Sequence, residues 1–250
     1  MNKNIVLIGG GHGLSNLVKG FKGENINLSV IVSATDDGGH TGKIRDEFDC
    51  VAIGDLRRVL YELLDERSFL KEVFDYRFTK VHGIKNLSLG NLIITALLNK
   101  YHDIDNVISY FKEKENFKTN VYLSCNNSVT LCAKYNDGEI VESEEKIGCH
   151  NKNVEKIYVD EDTICNLEML KSIDLADVIV LSPGSLYTSI GSVLCIEQIK
   201  EHLIRTKAEI VYTCNIMCQY GETCNYTVKD HVRALEKIMG RKIDRIIVNI

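Results

Sequence analysis

Ile5-Val6-Leu7-Ile8-Gly9-Gly10-Gly11-His12-Gly13-Leu14-Ser15 decides the fold. A short β-branched run that breaks on four glycines in five positions and then turns amphipathic reads as strand, tight turn and helix. Such a turn brings backbone N–H groups and a helix N-terminus close to a phosphate. Gly9 and Gly11 fit the dinucleotide fingerprint G-x-G-x-x-G, but Leu14 stands at its third glycine. A second apolar run, Leu28 to Val32, leads to Thr35-Asp36-Asp37-Gly38-Gly39. Carboxylates after the second strand border the same crevice, where they hold a ribose or sugar hydroxyl or a metal ion.

Outward from this start, strand patterns fall at 4–8, 28–33, 120–124, 129–135, 139–142, 155–159, 177–181, 209–213 and 244–249. Helical patterns fall at 14–22, 54–65, 68–76, 90–101, 103–113, 185–203 and 229–239. The alternation predicts an α/β fold of three layers, α/β/α, with a mainly parallel sheet. Asn136-Asp137-Gly138 between two short runs predicts a hairpin, so about 120–160 reads as a small antiparallel insertion. With no linker or repeat in sight, residues 1–250 are expected to form one nucleotide-binding domain. The chain ends on the apolar run Asp244–Ile250, which fits either a strand buried in the sheet or a truncated domain.

Composition narrows the function classes. The formal net charge is -5 with no basic block, which argues against nucleic acid as partner. No apolar run reaches the length of a membrane span, and no signal peptide is visible, so a cytoplasmic location is expected. The nine cysteines include no C-x-x-C pair and read as reduced, buried small hydrophobes. Cys214, Cys218 and Cys224 match no standard zinc spacing.

Further loops carry groups suited to a nucleotide. Lys43 and Arg45 either face solvent or reach a pyrophosphate. In Gly54-Asp55-Leu56-Arg57-Arg58, Asp55 is an expected helix N-cap, while cations in a first helical turn oppose the dipole unless they bind an anion. Asn91, after Gly90, either caps the next helix or bonds a base or sugar. Ser182-Pro183-Gly184-Ser185-Leu186-Tyr187-Thr188 holds the only proline and forms a second strand–loop–helix turn. Thr213-Cys214-Asn215 and Gln219-Tyr220-Gly221-Glu222-Thr223 follow the next strand, and Asp230 is the simplest cap for the helix after them. The nucleotide-binding set expected from these loops is Gly9, Gly10, Gly11, His12, Gly13, Leu14, Ser15, Asp36, Asp37, Gly38, Gly39, Arg45, Asp55, Arg57, Asn91, Pro183, Gly184, Ser185, Thr188 and Asn215. No catalytic residue is assigned, and Asp36 and Asp37 are the candidates for Mg²⁺.

Taken in order, Gly9–Ser15, Thr35–Gly39, Gly54–Arg57, Gly90–Leu92, Pro183–Ser189, Cys214–Met217, Gly221–Thr223 and Asp230-His231 resemble the gluconeogenesis-factor (YvcK-like) family, within the CofD-like superfamily of 2-phospho-L-lactate transferase. The resemblance implies a Rossmann-like fold that binds a UDP-sugar, notably UDP-N-acetylglucosamine. It also implies roles in carbon metabolism, cell shape and cell-wall synthesis. On that reading the partners are a UDP-sugar or other nucleotide, a second copy in a homodimer, and proteins of cell-wall synthesis. Leu87 and Cys224 stand where the family carries His and Asp, which speaks for binding without turnover. Two alternatives remain open here: a phosphotransferase of the phospholactate type using Mg²⁺, and an NAD-dependent oxidoreductase.

Overall fold

A computed structural model describes residues 2–48, 50–80, 85–150 and 152–249, without the side chains of residues 40, 43, 44 and 46. Six strands form one parallel sheet: β1 (Asn4–Gly9), β2 (Asn27–Val32), β3 (Asn120–Leu123), β7 (Val178–Leu181), β8 (Glu209–Thr213) and β9 (Arg245–Ile247). Their order is β3-β2-β1-β7-β8-β9. The order reverses between β1 and β7, which pair from Ile5↔Val178 to Ile8↔Leu181. Ligands of open α/β sheets bind at such a reversal, outside the carboxyl ends of the strands.

The central strands are mostly apolar on both faces, because helices cover both. Leu7, Ile8, Val30, Ile31, Val32, Ile179 and Leu181 are fully buried. Helices α1 (Gly11–Phe21) and α3 (Gly54–Leu63) pack against each other. So do α8 (Leu167–Asp174) and α10 (Glu197–Arg205). Right-handed crossovers leaving the reversal in opposite directions put α1 and α10 on opposite faces. The expected three-layer Rossmann-like architecture is therefore present.

The antiparallel insertion is narrower than 120–160. β3 joins the main sheet, whereas β4 (Leu131–Tyr135), β5 (Ile140–Glu142) and β6 (Val154–Val159) form a separate sheet in the order β5-β4-β6. The predicted hairpin turn joins β4 to β5, with the Gly138 N–H donating to the Tyr135 carbonyl.

Several helices depart from their periodicity. α2 (Gly39–Phe48) and α7 (Glu144–Ile147) start in segments whose glycines or charges hide any apolar stripe, and α8 lies outside the expected helices although Met169, Leu170 and Ile173 form a buried stripe. α4 (Phe69–Phe74), α5 (Leu89–Tyr101), α6 (Ile104–Lys114) and α11 (Val228–Met239) lie within two residues of expectation. The helix expected over 185–203 is three pieces: a π-helical turn Leu186–Gly191, the short α9 (Ser192–Leu194), and α10 after a break at Cys195-Ile196. All six residues of the π turn are buried, so no polar face marks its register in the sequence.

β9 lies on the edge of the sheet with Ile246 and Ile247 half exposed, not buried as one reading of the terminal strand had it. Cys50, Cys125, Cys132 and Cys214 are buried, but Cys149, Cys218 and Cys224 are exposed, against the expectation for the cysteines as a set. Burial pushes the thiols of Cys125 and Cys132 up to about 12 and about 11, so they stay protonated and inert. No helix among the described residues is long and apolar enough to cross a membrane.

Candidate functional site

Five loops meet at the carboxyl edge of the parallel sheet. The one after β1 runs straight into α1, which begins at Gly11 rather than at Leu14. Gly11 has φ +60° and a side chain there would point into open space. Gly13 is different. A Cβ on it would lie 1.7 Å from the Pro183 carbonyl oxygen, so this glycine lets the loops after β1 and β7 touch. Gly9 likewise faces Ser182, whose buried hydroxyl has no hydrogen-bond partner.

The N–H of Gly11 is engaged: it donates to the Asp55 carboxylate at 2.7 Å. Asp55 is therefore not the N-cap of α3. Ile53 occupies that position without a side-chain bond, and Asp55 sits in the first turn, reaching across to α1 and back to Arg58. Burial, then the charge of Asp36, raises the pKa of Asp55 above the usual carboxylate range, while Arg58 and the Gly11 N–H oppose the rise.

The loop after β7 repeats the device. Glu222 accepts from the Tyr187 N–H at 3.0 Å and the Thr188 hydroxyl at 2.7 Å, at the start of the π turn. Burial raises its pKa too. Asn215 makes a two-point contact with the backbone of Gly184, accepting at 2.7 Å and donating at 2.6 Å, and the Ser185 hydroxyl donates to Gln219 at 2.7 Å. The loops after β7 and β8 are thus zipped together by the side chains expected to face a ligand. Beneath them a buried hydroxyl chain joins Thr35, Ser33 and Ser192.

Asp36 and Asp37 part company. Both Asp37 oxygens accept from the first N–H groups of α7, at Glu144 and Glu145. Asp36 bonds the Gly38 N–H through one oxygen and sets the other over Gly54, beside the Thr41 hydroxyl. Glu144 closes the group. Burial first, then Asp36, Asp55 and Asp37, push its carboxyl up to about 9. Among the described residues no three His, Cys, Asp or Glu side chains stand close enough to chelate a metal.

The expected residues sort by what they touch. Gly10, Gly11, Asp36, Asp55, Gly184, Ser185, Thr188 and Asn215 gather at this edge. A Cβ on Gly10 would meet Asp55 and Ser189, and one on Gly184 would lie 3.7 Å from the Gly10 carbonyl oxygen. His12 is exposed on the first turn of α1. Leu14 is fully buried in the core, and Ser15 bonds the carbonyl of His12, so neither side chain is free to meet a ligand. Arg45 buttresses the loops, donating to the carbonyls of Thr35, Asp36 and Val129 and to Ser128. Beside it a cavity of about 540 Å³ opens between Asp37, Gly42, Ser143 and Lys146. The side chain of Lys43 lies outside the described residues.

Three assignments are corrected. Arg57 is buried and pairs with Asp75 at the end of α4, so its anion is internal. Asn91 does not cap α5; Ser88 does, and the Asn91 Oδ1 is buried without a partner. Asp230 is the third residue of α11 and closes a capping box whose N-cap is Thr227. Glu144 was not foreseen as a site residue, and Glu222 was named in the loop after the strand at 209–213 but not in the binding set. Glu222 had one signal, a lone acid after a strand, and Glu144 had none, because the fold alone carries it to the edge.

The family model of 2-phospho-L-lactate transferase CofD matches residues 5–250. The gluconeogenesis factor of Bacillus subtilis is 38% identical over 98% of this chain and 78% of its own length. That of Halalkalibacterium halodurans is 38% identical over 93% of this chain and 73% of its own. A solved structure of a UPF0052-family protein from Bacillus halodurans superposes with a TM-score of 0.95 at 36% identity, over 100% of this chain and 81% of that one. With its reversal-point loops and this likeness along nearly its whole length, the chain belongs to the CofD family, among the gluconeogenesis factors.

Proposed function

We propose that this protein binds a nucleotide-sugar, a UDP-sugar such as UDP-N-acetylglucosamine, at the carboxyl edge between β1 and β7, and does not turn it over. The observation that carries the reading is Gly11: its open side faces outward from the N-terminus of α1 at the reversal of the sheet. A diphosphate can approach the backbone there and nowhere as closely around the buried π turn. The family resemblance supports the uracil and the sugar. The relatives' name supports a regulatory role in carbon metabolism; cell shape and cell-wall synthesis, a dimer and protein partners rest on the resemblance alone, and a cytoplasmic location rests on the sequence reading above.

The edge is acidic, with Asp36, Asp55 and Glu144 close together. An anionic ligand would be repelled unless a divalent cation came with it, so Mg²⁺ is expected to enter bound to the diphosphate, beside Asp36. Asp37, spent on α7, is the weaker of the two metal candidates. Commitment supports binding without turnover: Asp55, Glu222, Ser185 and Asn215 already hold internal partners, and an acid or base must be free to exchange a proton with substrate.

A thermal-shift panel of UDP-N-acetylglucosamine, UDP-glucose, UDP, GDP, GTP and NAD, with and without Mg²⁺, tests the binding. A ligand at a hundred times its Kd adds about 2.7 kcal/mol to stability. The expected result is a rise with UDP-sugars, larger with Mg²⁺; a rise with NAD or GDP alone sinks the assignment. The raised carboxyls of Glu144 and Asp55 favour one second reading, a metal-dependent phosphotransferase. Release of UMP, UDP or phosphate that needs Mg²⁺ and disappears in Asp36→Asn would establish it instead.

A further inference from the structure

Away from the carboxyl edge of the parallel sheet, β6 is the edge strand of the small antiparallel sheet. Alternating residues of an antiparallel strand point their backbone groups to the neighbour and away from it. The Asp160 N–H donates to the Thr130 carbonyl, and Cys132 and Lys134 pair with Tyr158 and Lys156. On the far side of β4, the Leu131 carbonyl accepts from Ser143, which confirms the phase. The backbones of Lys156 and Tyr158 therefore face β4, and those of Ile157 and Val159 face outward. Glu155 is the extra residue of a bulge, where the pairing steps from Lys134↔Lys156 to Tyr135↔Val154, and its carbonyl turns outward to accept from Lys237 Nζ at 2.7 Å.

The outward edge does not meet open solvent. It borders a cavity of about 550 Å³ lined by every residue from Glu155 to Val159 and walled opposite by Cys195, Glu197, Lys200 and Ile238. We propose that this groove receives an extended peptide segment of a partner protein, added as a strand antiparallel to β6. The N–H and C=O groups of Ile157 and Val159 supply the ladder.

A second copy of this chain fits less well. Strands lie about 4.8 Å apart, so a second copy would have to bring its β4, one strand beyond its β6, to the side of the groove that Glu197 and Lys200 line. A lone strand has no such neighbour.

Charge sets the polarity. At the Glu155 end, Lys237 rests on a neutral carbonyl, while the Glu155 carboxylate is matched by Lys134. At the other end Glu161 and Asp162 are exposed at the rim. An antiparallel peptide therefore carries a basic residue near its N-terminus and an acidic one about six residues on. That span is roughly 20 Å at 3.3 Å per residue.

The test is selection of a displayed random heptapeptide library on the full chain, followed by affinity measurement on the synthetic winners. Val159→Pro removes one outward N–H and leaves the β4 ladder intact, as proline permits on an edge strand. Lys237→Glu acts at an exposed position, removing the ammonium that rests on the Glu155 carbonyl, and serves if the proline variant does not fold. Expected are winners with the basic-to-acidic order that perturb the Ile157 and Val159 amides in NMR spectra. Their affinity should fall at least tenfold on N-methylation of the peptide backbone and at least fivefold in Lys237→Glu. The proposal falls if selection enriches nothing, if N-methylation or Lys237→Glu leaves affinity unchanged, or if sedimentation shows a dimer that Val159→Pro makes monomeric. The last result would assign the edge to a second copy.

Discussion

The loops after β1 and β7 are built alike and end up different. Each leads from a buried strand into a helical turn, and each has one N–H of that turn taken by a buried carboxylate from elsewhere, Gly11 by Asp55 in one and Tyr187 by Glu222 in the other. An internal anion satisfies the helix N-terminus as a phosphate would. Yet the first loop keeps an open side at Gly11, and the second is sealed under a π turn with every residue buried. Glycine thus does two jobs within one motif. Gly13 is required by a neighbouring loop, and Gly11 by a backbone angle and an open approach.

The largest effect that could break this contrast is at Gly13. Gly13→Ala puts a Cβ against the Pro183 carbonyl, a backbone clash that no rotamer relieves, and should cost more than about 4 kcal/mol. Urea denaturation measures it; a stable variant would mean that the two loops do not touch. Gly11→Val should leave the chain folded, about 1–2 kcal/mol weaker from strain at positive φ, and unable to bind nucleotide. Calorimetry showing unchanged affinity in the folded variant refutes the phosphate role.

Glu222→Ala should cost about 1–3 kcal/mol, because it leaves the buried Tyr187 N–H and Thr188 hydroxyl without an acceptor. Glu222→Gln, which keeps one oxygen, should recover part of that. Equal losses in both would mean that charge, rather than the hydrogen bonds, holds the π turn.

Glu144 sharpens the comparison through pH. Its folded pKa is raised to about 9, so the protonated form is the one that folding favours. The stability it contributes is complete below the ordinary glutamate range and is lost as pH rises toward 9. The Tm of the native chain should therefore fall between pH 5 and pH 9 more than that of Glu144→Gln, and Mg²⁺ with UDP-sugar should reduce the difference. Parallel Tm curves would show that Glu144 ionises freely. The smallest effect belongs to Asp37→Asn, which weakens the cap of α7 by about 1 kcal/mol while nucleotide affinity holds. Asp36→Asn should do the reverse, and equal effects in both would return the pair to a plain polar loop.

Short-range physics was written plainly in the chain. The β-branched runs named the parallel strands, the glycine turn named the entry to α1, and Asn136-Asp137-Gly138 named the hairpin. The convergence of Gly10, Asp36, Ser185 and Asn215 on one edge followed from strand direction alone, since alternating strand and helix place every strand's carboxyl end together. What the chain could not declare was the partner of each polar group. Asp55 reads locally as a cap, yet its carboxylate serves a helix 44 positions earlier in the sequence. Arg57 reads as a ligand's cation, yet Asp75 takes it. Hydrogen-bond partners across loops depend on distances that close only when the sheet assembles, and a buried donor takes whichever acceptor that assembly brings within reach. For the same reason the π turn, the place of Glu144 and the open edge of β6 belong to the tertiary structure: local pattern determines which segments are strands and helices, and packing decides which groups they hold against one another.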